Sequence, residues 1–191
     1  MTAAKPVLII VSGPPASGKT TLSRRLAADL RLPLVQRDSL KERLFDTLGW
    51  RDRALSQRLG GASYELLYYT LDLLLQTGQP CIVESNFSRV AASHKLTTLL
   101  EYYGYTAIQI LCFAAPDVLL ERFTARHAAG ERHPGHVDDL ALPEFTAQIQ
   151  QRWEPLDVAG PLIELDTSTT FDYKKLMVQI TAILVGSEEE H

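Results

Sequence analysis

Residues Gly13 to Thr20, G-P-P-A-S-G-K-T, constrain this chain more than any other stretch. They fit the spacing G-x-x-x-x-G-K-[ST], in which glycines let the backbone curl until successive N–H groups point inward. A helix starting at such a loop adds the partial positive charge of its N-terminus, so the unit suits an anion such as phosphate. Context separates the pattern from an ordinary Gly/Pro turn. Val7 to Val11 (V-L-I-I-V) is an unbroken aliphatic run, as in a strand buried on both faces of a parallel sheet. Thr20 to Leu30 then sets Leu22, Leu26 and Leu30 four apart on one helical face. Strand, glycine loop and helix follow in the order phosphate binding requires. Gly13, Pro14, Pro15, Ala16, Ser17, Gly18, Lys19, Thr20 and Thr21 are therefore expected to wrap nucleotide phosphates, with Lys19 at the β- and γ-phosphates and the Thr20 hydroxyl on Mg²⁺.

Strand and helix patterns alternate through the rest of the chain. Short strands are expected at Leu34 to Gln36, Cys81 to Glu84, Ala107 to Phe113 and Leu162 to Asp166. Between them lie helical patterns: Ser39 to Leu48, with Leu40, Leu44 and Leu48 on one face; Ala62 to Gln76; Val90 to Tyr103; Pro116 to about Ala129; Pro143 to Trp153; and Phe171 to Val185. Gly49 to Gly61, arginine-rich and bracketed by glycines, reads either as a solvated loop or short helix or as part of an acceptor-binding region. The alternation implies a parallel sheet covered by helices on both faces, with ligands beyond the carboxyl ends of the strands. That places Gly13, Asp38, the stretch Glu84 to Asn86, and Phe113 along one rim.

With 191 residues, 46% of them hydrophobic, there is enough chain for one α/β domain and little for a second. A formal net charge of -4 argues against a general nucleic-acid surface and leaves room at most for a single strand end. No apolar run approaches the roughly 20 residues needed to span a bilayer, and Met1 to Pro6 lacks the layout of a secretory leader. A soluble, cytoplasmic protein with no membrane partner is expected. Cys81 and Cys112 fall inside predicted strands without metal-ligand spacing, as buried free thiols do.

Phosphoryl transfer needs alignment, charge neutralisation and a group to orient the nucleophile. Asp38, in R-D-S-L-K-E-R at a strand end, is placed to take the proton of an acceptor hydroxyl, although an Asp there also caps helices. Arg37, Lys41 and Arg43 beside it would hold an anionic or polar acceptor. Glu84 ends the apolar strand C-I-V-E, a position for a carboxylate on Mg²⁺ or its water shell, with Asn86 and Arg89 just beyond as substrate contacts. Arg122 and Arg126 are four apart on a helix, and Arg132 follows in a Gly/Pro-marked loop; together they suit a lid over the triphosphate, spanning about residues 116–140. His127, His133 and His136 lack a completing ligand and read as lid residues facing solvent or substrate.

The segments G-P-P-A-S-G-K-T-T-L-S, R-D-S-L-K-E-R-L-F, I-V-E-S-N-F, L-L-E-R-F-T-A-R and I-E-L-D-T-S together resemble the successive motifs of small P-loop kinases, over about residues 5–185. That group includes the phage-type polynucleotide 5'-kinase domain, chloramphenicol phosphotransferase and zeta toxins. The resemblance implies a three-layer α/β/α sandwich of the P-loop NTPase class, with a five-stranded parallel sheet in the order 2-3-1-4-5 and a lid after the fourth strand. It implies Asp38 as general base, Lys19 and Thr20 at phosphate and Mg²⁺, lid arginines at Arg122 and Arg126, and the turn Asp166-Thr167-Ser168, with Asp166, near the adenine. Two departures count against a polynucleotide acceptor. Lys41 stands where polynucleotide kinases carry arginine and cannot make the same bidentate phosphate contact, and Glu84 replaces their common aspartate.

The expected activity is ATP- and Mg²⁺-dependent transfer of a γ-phosphate to a hydroxyl of a small-molecule acceptor. The alternatives are a polynucleotide or nucleotide kinase, and an ATP-binding regulatory switch with no acceptor of its own.

Overall fold

The run V-L-I-I-V lies at the centre of the sheet, as strand β1 (Val7–Ser12), with all six residues buried. The computed structural model describes residues 5–130 and 132–189. In chain order the remaining elements are α1 (Lys19–Leu30), β2 (Leu34–Gln36), α2 (Arg37–Leu48), α3 (Arg53–Leu75), β3 (Cys81–Glu84), α4 (Arg89–Tyr103), β4 (Thr106–Phe113), α5 (Pro116–Ala128), a 3₁₀ turn (Pro134–His136), α6 (Asp138–Gln148), β5 (Leu162–Asp166) and α7 (Tyr173–Glu189). All strand pairs are parallel and the sheet order is β2-β3-β1-β4-β5, the order that the resemblance implies.

Alternation along β1 builds both cores. Leu8 and Ile10 face Leu67, Leu71 and Leu75 of α3 and Leu96 and Leu100 of α4. Val7, Ile9 and Val11 face Leu22 and Leu26 of α1 and Leu176 and Ile180 of α7. The result is an α/β/α sandwich, in which each fully buried aliphatic side chain contributes about 1.5–3 kcal/mol. Cys81 and Cys112 are buried free thiols, and burial pushes both up to about 12. A smaller cluster, with Phe123 stacked on Phe145 at 4.2 Å, joins α5 to α6. No helix among the described residues is long and apolar enough to cross a membrane.

Strand order reverses at β1, whose neighbours are β3 and β4, so a crevice opens where the chain leaves its carboxyl end. Register carries side chains to that rim: Glu84 lies beside Val11 on one side and Gln36 on the other.

Three local expectations differ from the structure. The polar stretch Gly49 to Gly61 is mostly helix, because α3 begins at Arg53 and runs 23 residues through Gly60 and Gly61. Helix α2 starts two residues early and buries Lys41 and Phe45, while Leu48 is exposed. Helix α6 starts before Pro143, which sits inside it, and ends at Gln148, so Trp153 is not helical. Of the expected lid stretch, Glu131 lies outside the described residues.

Candidate active site

The loop after β1 takes its shape from left-handed backbone at Ala16 (φ 65°) and Gly18 (φ 77°), with Gly13 at φ 143°. A Cβ on Gly13 would stand 2.1 Å from the Cys112 carbonyl oxygen, so only glycine lets the loop pass β4 this closely. Helix α1 then starts from Gly18 with no side-chain cap, which leaves its first amide groups available to an anion. Lys19 is buried, and its Nζ donates to the Pro14 carbonyl at 3.2 Å. Among the described residues the buried Ser17 hydroxyl has no hydrogen-bond partner, an uncompensated polar group inside the loop.

The Thr20 hydroxyl donates to Glu84 Oε2 at 3.1 Å, and Gln36 Nε2 donates to the same oxygen at 2.9 Å. Burial raises the Glu84 carboxyl above its ordinary range, and Asp38 adds to this, against the opposing pull of Lys19 and the two hydrogen bonds. A hydroxyl and a carboxylate oxygen this close are the hard donors that Mg²⁺ takes. With Lys19 on the same loop and Thr20 lining the cavity, these residues fit a metal–phosphate group.

Across a cavity of about 820 Å³ from the loop stands Asp38, in the first turn of α2. Arg37 Nη1 donates to Asp38 Oδ1 at 2.8 Å and Arg132 Nη2 to Oδ2 at 3.1 Å. Burial alone would raise this carboxyl, but Arg132 and Arg37, helped by His136 and Lys19, hold it well below the usual carboxylate range. Arg37 is fixed from behind by its Nε bond to Ser63 Oγ at 3.1 Å and by the Tyr64 ring 4.8 Å away. Asn86 also lines the cavity, with its side-chain oxygen accepting from Tyr64 at 3.2 Å.

The third wall comes from α5 and the turn after β5. Arg122 and Arg126 line it, and Arg122 Nη2 donates to the Thr167 carbonyl at 2.6 Å. The Thr167 hydroxyl reaches back to the Ser17 carbonyl at 3.0 Å, tying β5 to the loop.

Residues 8–151 match the sequence family described as an AAA domain. The chain belongs to that family. Its kinase-like P-loop fold is shared with solved structures. The crystal structure of a candidate kinase from Chloroflexus aurantiacus matches at 43% identity and TM-score 0.87, over 94% of this chain and 98% of that one. A sugar kinase from a Janibacter species matches at 16% identity and TM-score 0.58, over 94% and 95% of the two chains. A gluconokinase from Sinorhizobium meliloti matches at 15% identity and TM-score 0.51, over 96% and 90%. The last two share the fold. No curated protein matches the chain.

In this AAA-domain protein two arginines named from sequence lie away from the cavity. Arg43 is exposed and pairs with Asp46 at 3.6 Å, and Arg89 pairs with Asp157 and Glu154 at 2.6 and 2.7 Å. Lys41 is buried between α2 and α3, where its Nζ donates to Ser56 Oγ at 3.1 Å. Asp166 turns its carboxylate onto the Ser168 amide at 2.8 Å. The cavity wall beyond it is made by Thr167 to Phe171 and Tyr173. His133 and His136 do not face solvent or substrate: both pack on Phe45, and His136 is buried against Glu42 at 3.1 Å.

Sequence reasoning missed Arg25 and Tyr173, while Arg37 was expected beside Asp38 as a cation for the acceptor and Thr167 in the turn after β5. Arg25 lies over the Tyr173 ring at 3.5 Å, and both line the cavity. Only Arg25 carried a usable signal, being one turn beyond Thr21 on the helix that the loop begins.

Proposed function

We propose that this protein is an ATP- and Mg²⁺-dependent phosphotransferase acting on a hydroxyl of a small-molecule acceptor. The observation that carries the reading is that one cavity is lined by Lys19 and Thr20 on one side and by Asp38 on the other. A switch needs the first set alone; a kinase needs both.

The loop amides and Lys19 bind the phosphates of ATP, and Arg122 and Arg126 close the wall above them, where negative charge is redistributed during transfer. Thr20 and Glu84 would hold Mg²⁺, which when bound neutralises charge on the β- and γ-phosphates. Asp38 accepts a hydrogen bond from the acceptor hydroxyl and aims its oxygen at the γ-phosphorus. As the new O–P bond forms and the bond to the β–γ bridging oxygen breaks, the hydroxyl proton passes to Asp38 and ADP departs. In a loose transition state this proton moves late, so a strongly acidic carboxylate still serves as an orienting group.

The test pairs Lys19→Ala with Asp38→Asn in an assay of acceptor-dependent ADP release over a panel of hydroxyl metabolites. Lys19→Ala is expected to lose nucleotide binding. Asp38→Asn should keep nucleotide binding but lose about 10²-fold or more of the chemical step. Full transfer by Asp38→Asn when chemistry limits the rate overturns the role of Asp38, and ADP release indifferent to every acceptor overturns the kinase reading.

A further inference from the structure

Two guanidinium groups converge on the acceptor side of the cavity. Asp38 is shared at hydrogen-bond distance by Arg37 and Arg132. It is also the carboxylate whose charge supports the buried Lys41. Among the described residues, Glu42 pairs with His136 and Glu144 with Arg53.

Arg37 does not depend on Asp38 for its position. Ser63 Oγ takes its Nε, the Tyr64 ring lies under it, and Gly60 makes room, since a Cβ there would come within 3.0 Å of Arg37 Nη2. A guanidinium held this way, with its side chain largely buried and still lining the cavity, is preorganised to grip a planar or tetrahedral anion with two N–H groups. Arg132 approaches the same point from the opposite side, on the loop ahead of the 3₁₀ turn.

Two guanidiniums on Asp38 also work against its task. While they stay on both carboxylate oxygens, they take one acceptor position on each, compete with an acceptor hydroxyl for Asp38 and suppress its affinity for a proton. A ligand that carried its own negative charge would relieve both effects.

We propose that the acceptor is a hydroxyl compound bearing a carboxylate or phosphate group, and that this group docks on Arg37 and Arg132 and draws them from Asp38. Binding of the anion thus frees a carboxylate oxygen for the hydroxyl and moves Asp38 back toward ordinary basicity. Recognition and readiness for transfer become one event. A neutral polyol leaves the clamp shut. The inference rests on the kinase reading above and names the substrate class for that site.

The experiment measures calorimetric binding to protein saturated with a non-hydrolysable ATP analogue and Mg²⁺, using matched probes. These are glycerate against glycerol, threonate against threitol, galactonate against galactitol, and glycerol 3-phosphate. At least one anionic probe is expected to bind about tenfold or more tighter than its neutral partner. Arg37→Gln and Arg132→Gln should each weaken that binding about tenfold, while the exposed Arg43→Gln does not. A melting transition on each variant excludes loss of fold. Glycerate against glycerol 3-phosphate separates carboxylate from phosphate. Equal binding of acids and neutral polyols, no binding of any anion, or anion binding that survives both arginine variants overturns the proposal. ADP release is read separately: transfer to neutral alcohols sinks this inference and leaves the kinase standing, whereas anion binding without any transfer does the opposite.

Discussion

The Phe45 ring lies flat against His133, with centroids 5.1 Å apart and planes 16° from parallel. His136 meets the same ring edge-on at 5.4 Å, and Trp50 closes on His133 at 6.1 Å. Polar contacts surround this packing: His136 Nε2 with Glu42 Oε1 at 3.1 Å, and His133 Nε2 with Asp46 Oδ1 at 3.3 Å. The loop that carries Arg132 is thus fastened to α2, the helix that carries Asp38. What the sequence suggests as a lid histidine cluster is an aromatic clasp that sets the distance between those two residues.

Gly135 tests the clasp. Its backbone is not left-handed, so conformation does not demand glycine there; space does, because a Cβ would lie 2.6 Å from the Phe45 ring. Gly135→Ala is expected to lift the 3₁₀ turn and carry Arg132 off Asp38, at about 1–3 kcal/mol of stability for an overpacked contact. Acceptor affinity should fall severalfold while nucleotide affinity holds. Nucleotide titration beside urea unfolding checks this, and equal losses at both sites would show that the clasp does not act on the acceptor side.

Much of the fold is legible in sequence because its signals are local. V-L-I-I-V is buried on both faces, and the glycines and Lys19 of the loop are adjacent in the chain. What escapes is either nonlocal or a tertiary override. Gly60 and Gly61 look like breakers yet sit inside α3, where Gly60 is kept small by the ends of Arg37 and Lys41. Thr167 reaches the loop through a contact 150 residues away in sequence, and no spacing rule reports that. Arginines are visible in the string, but their directions are not. Arg37 and Arg132 meet Asp38, whereas Arg43 and Arg89 find acids on the outer surface.

Glu84 separates stability from activity. It is a buried carboxylate that accepts from Thr20 and Gln36, and burying its charge is costly. Glu84→Gln keeps one acceptor oxygen and removes that charge, so the folded state should be as stable as the parent or slightly more so. The Mg²⁺ concentration for half-maximal activity should rise about tenfold and turnover fall by about 10²-fold, since a carbonyl oxygen replaces a charged ligand. Urea midpoints and Mg²⁺ titrations on the same preparation decide it: lower stability with unchanged Mg²⁺ dependence would make Glu84 a structural strut.

Lys41 gives the chain an alkaline signature. Burial, reinforced by Arg37 and partly offset by Asp38, brings its ammonium from 10.5 down to about 8. Between those values the unfolded chain holds the proton and the folded one does not, so stability rises as pH climbs from about 8 toward 10.5. Below that window both states are charged and the whole burial penalty is present. At about 1.4 kcal/mol per pH unit, that penalty is on the order of 3 kcal/mol at neutral pH. Lys41→Met matches the shape without the charge and leaves Ser56 without its donor, at about 1 kcal/mol. The variant is therefore expected to be more stable than the parent by about 1–2 kcal/mol at pH 7, with the gap shrinking steadily by pH 9.5. Other lysines and the tyrosines titrate in both proteins and cancel in the difference. Parallel urea unfolding curves at pH 7, 8.5 and 9.5 measure it, and a gap that stays constant across them would mean that Lys41 titrates as an ordinary surface lysine does.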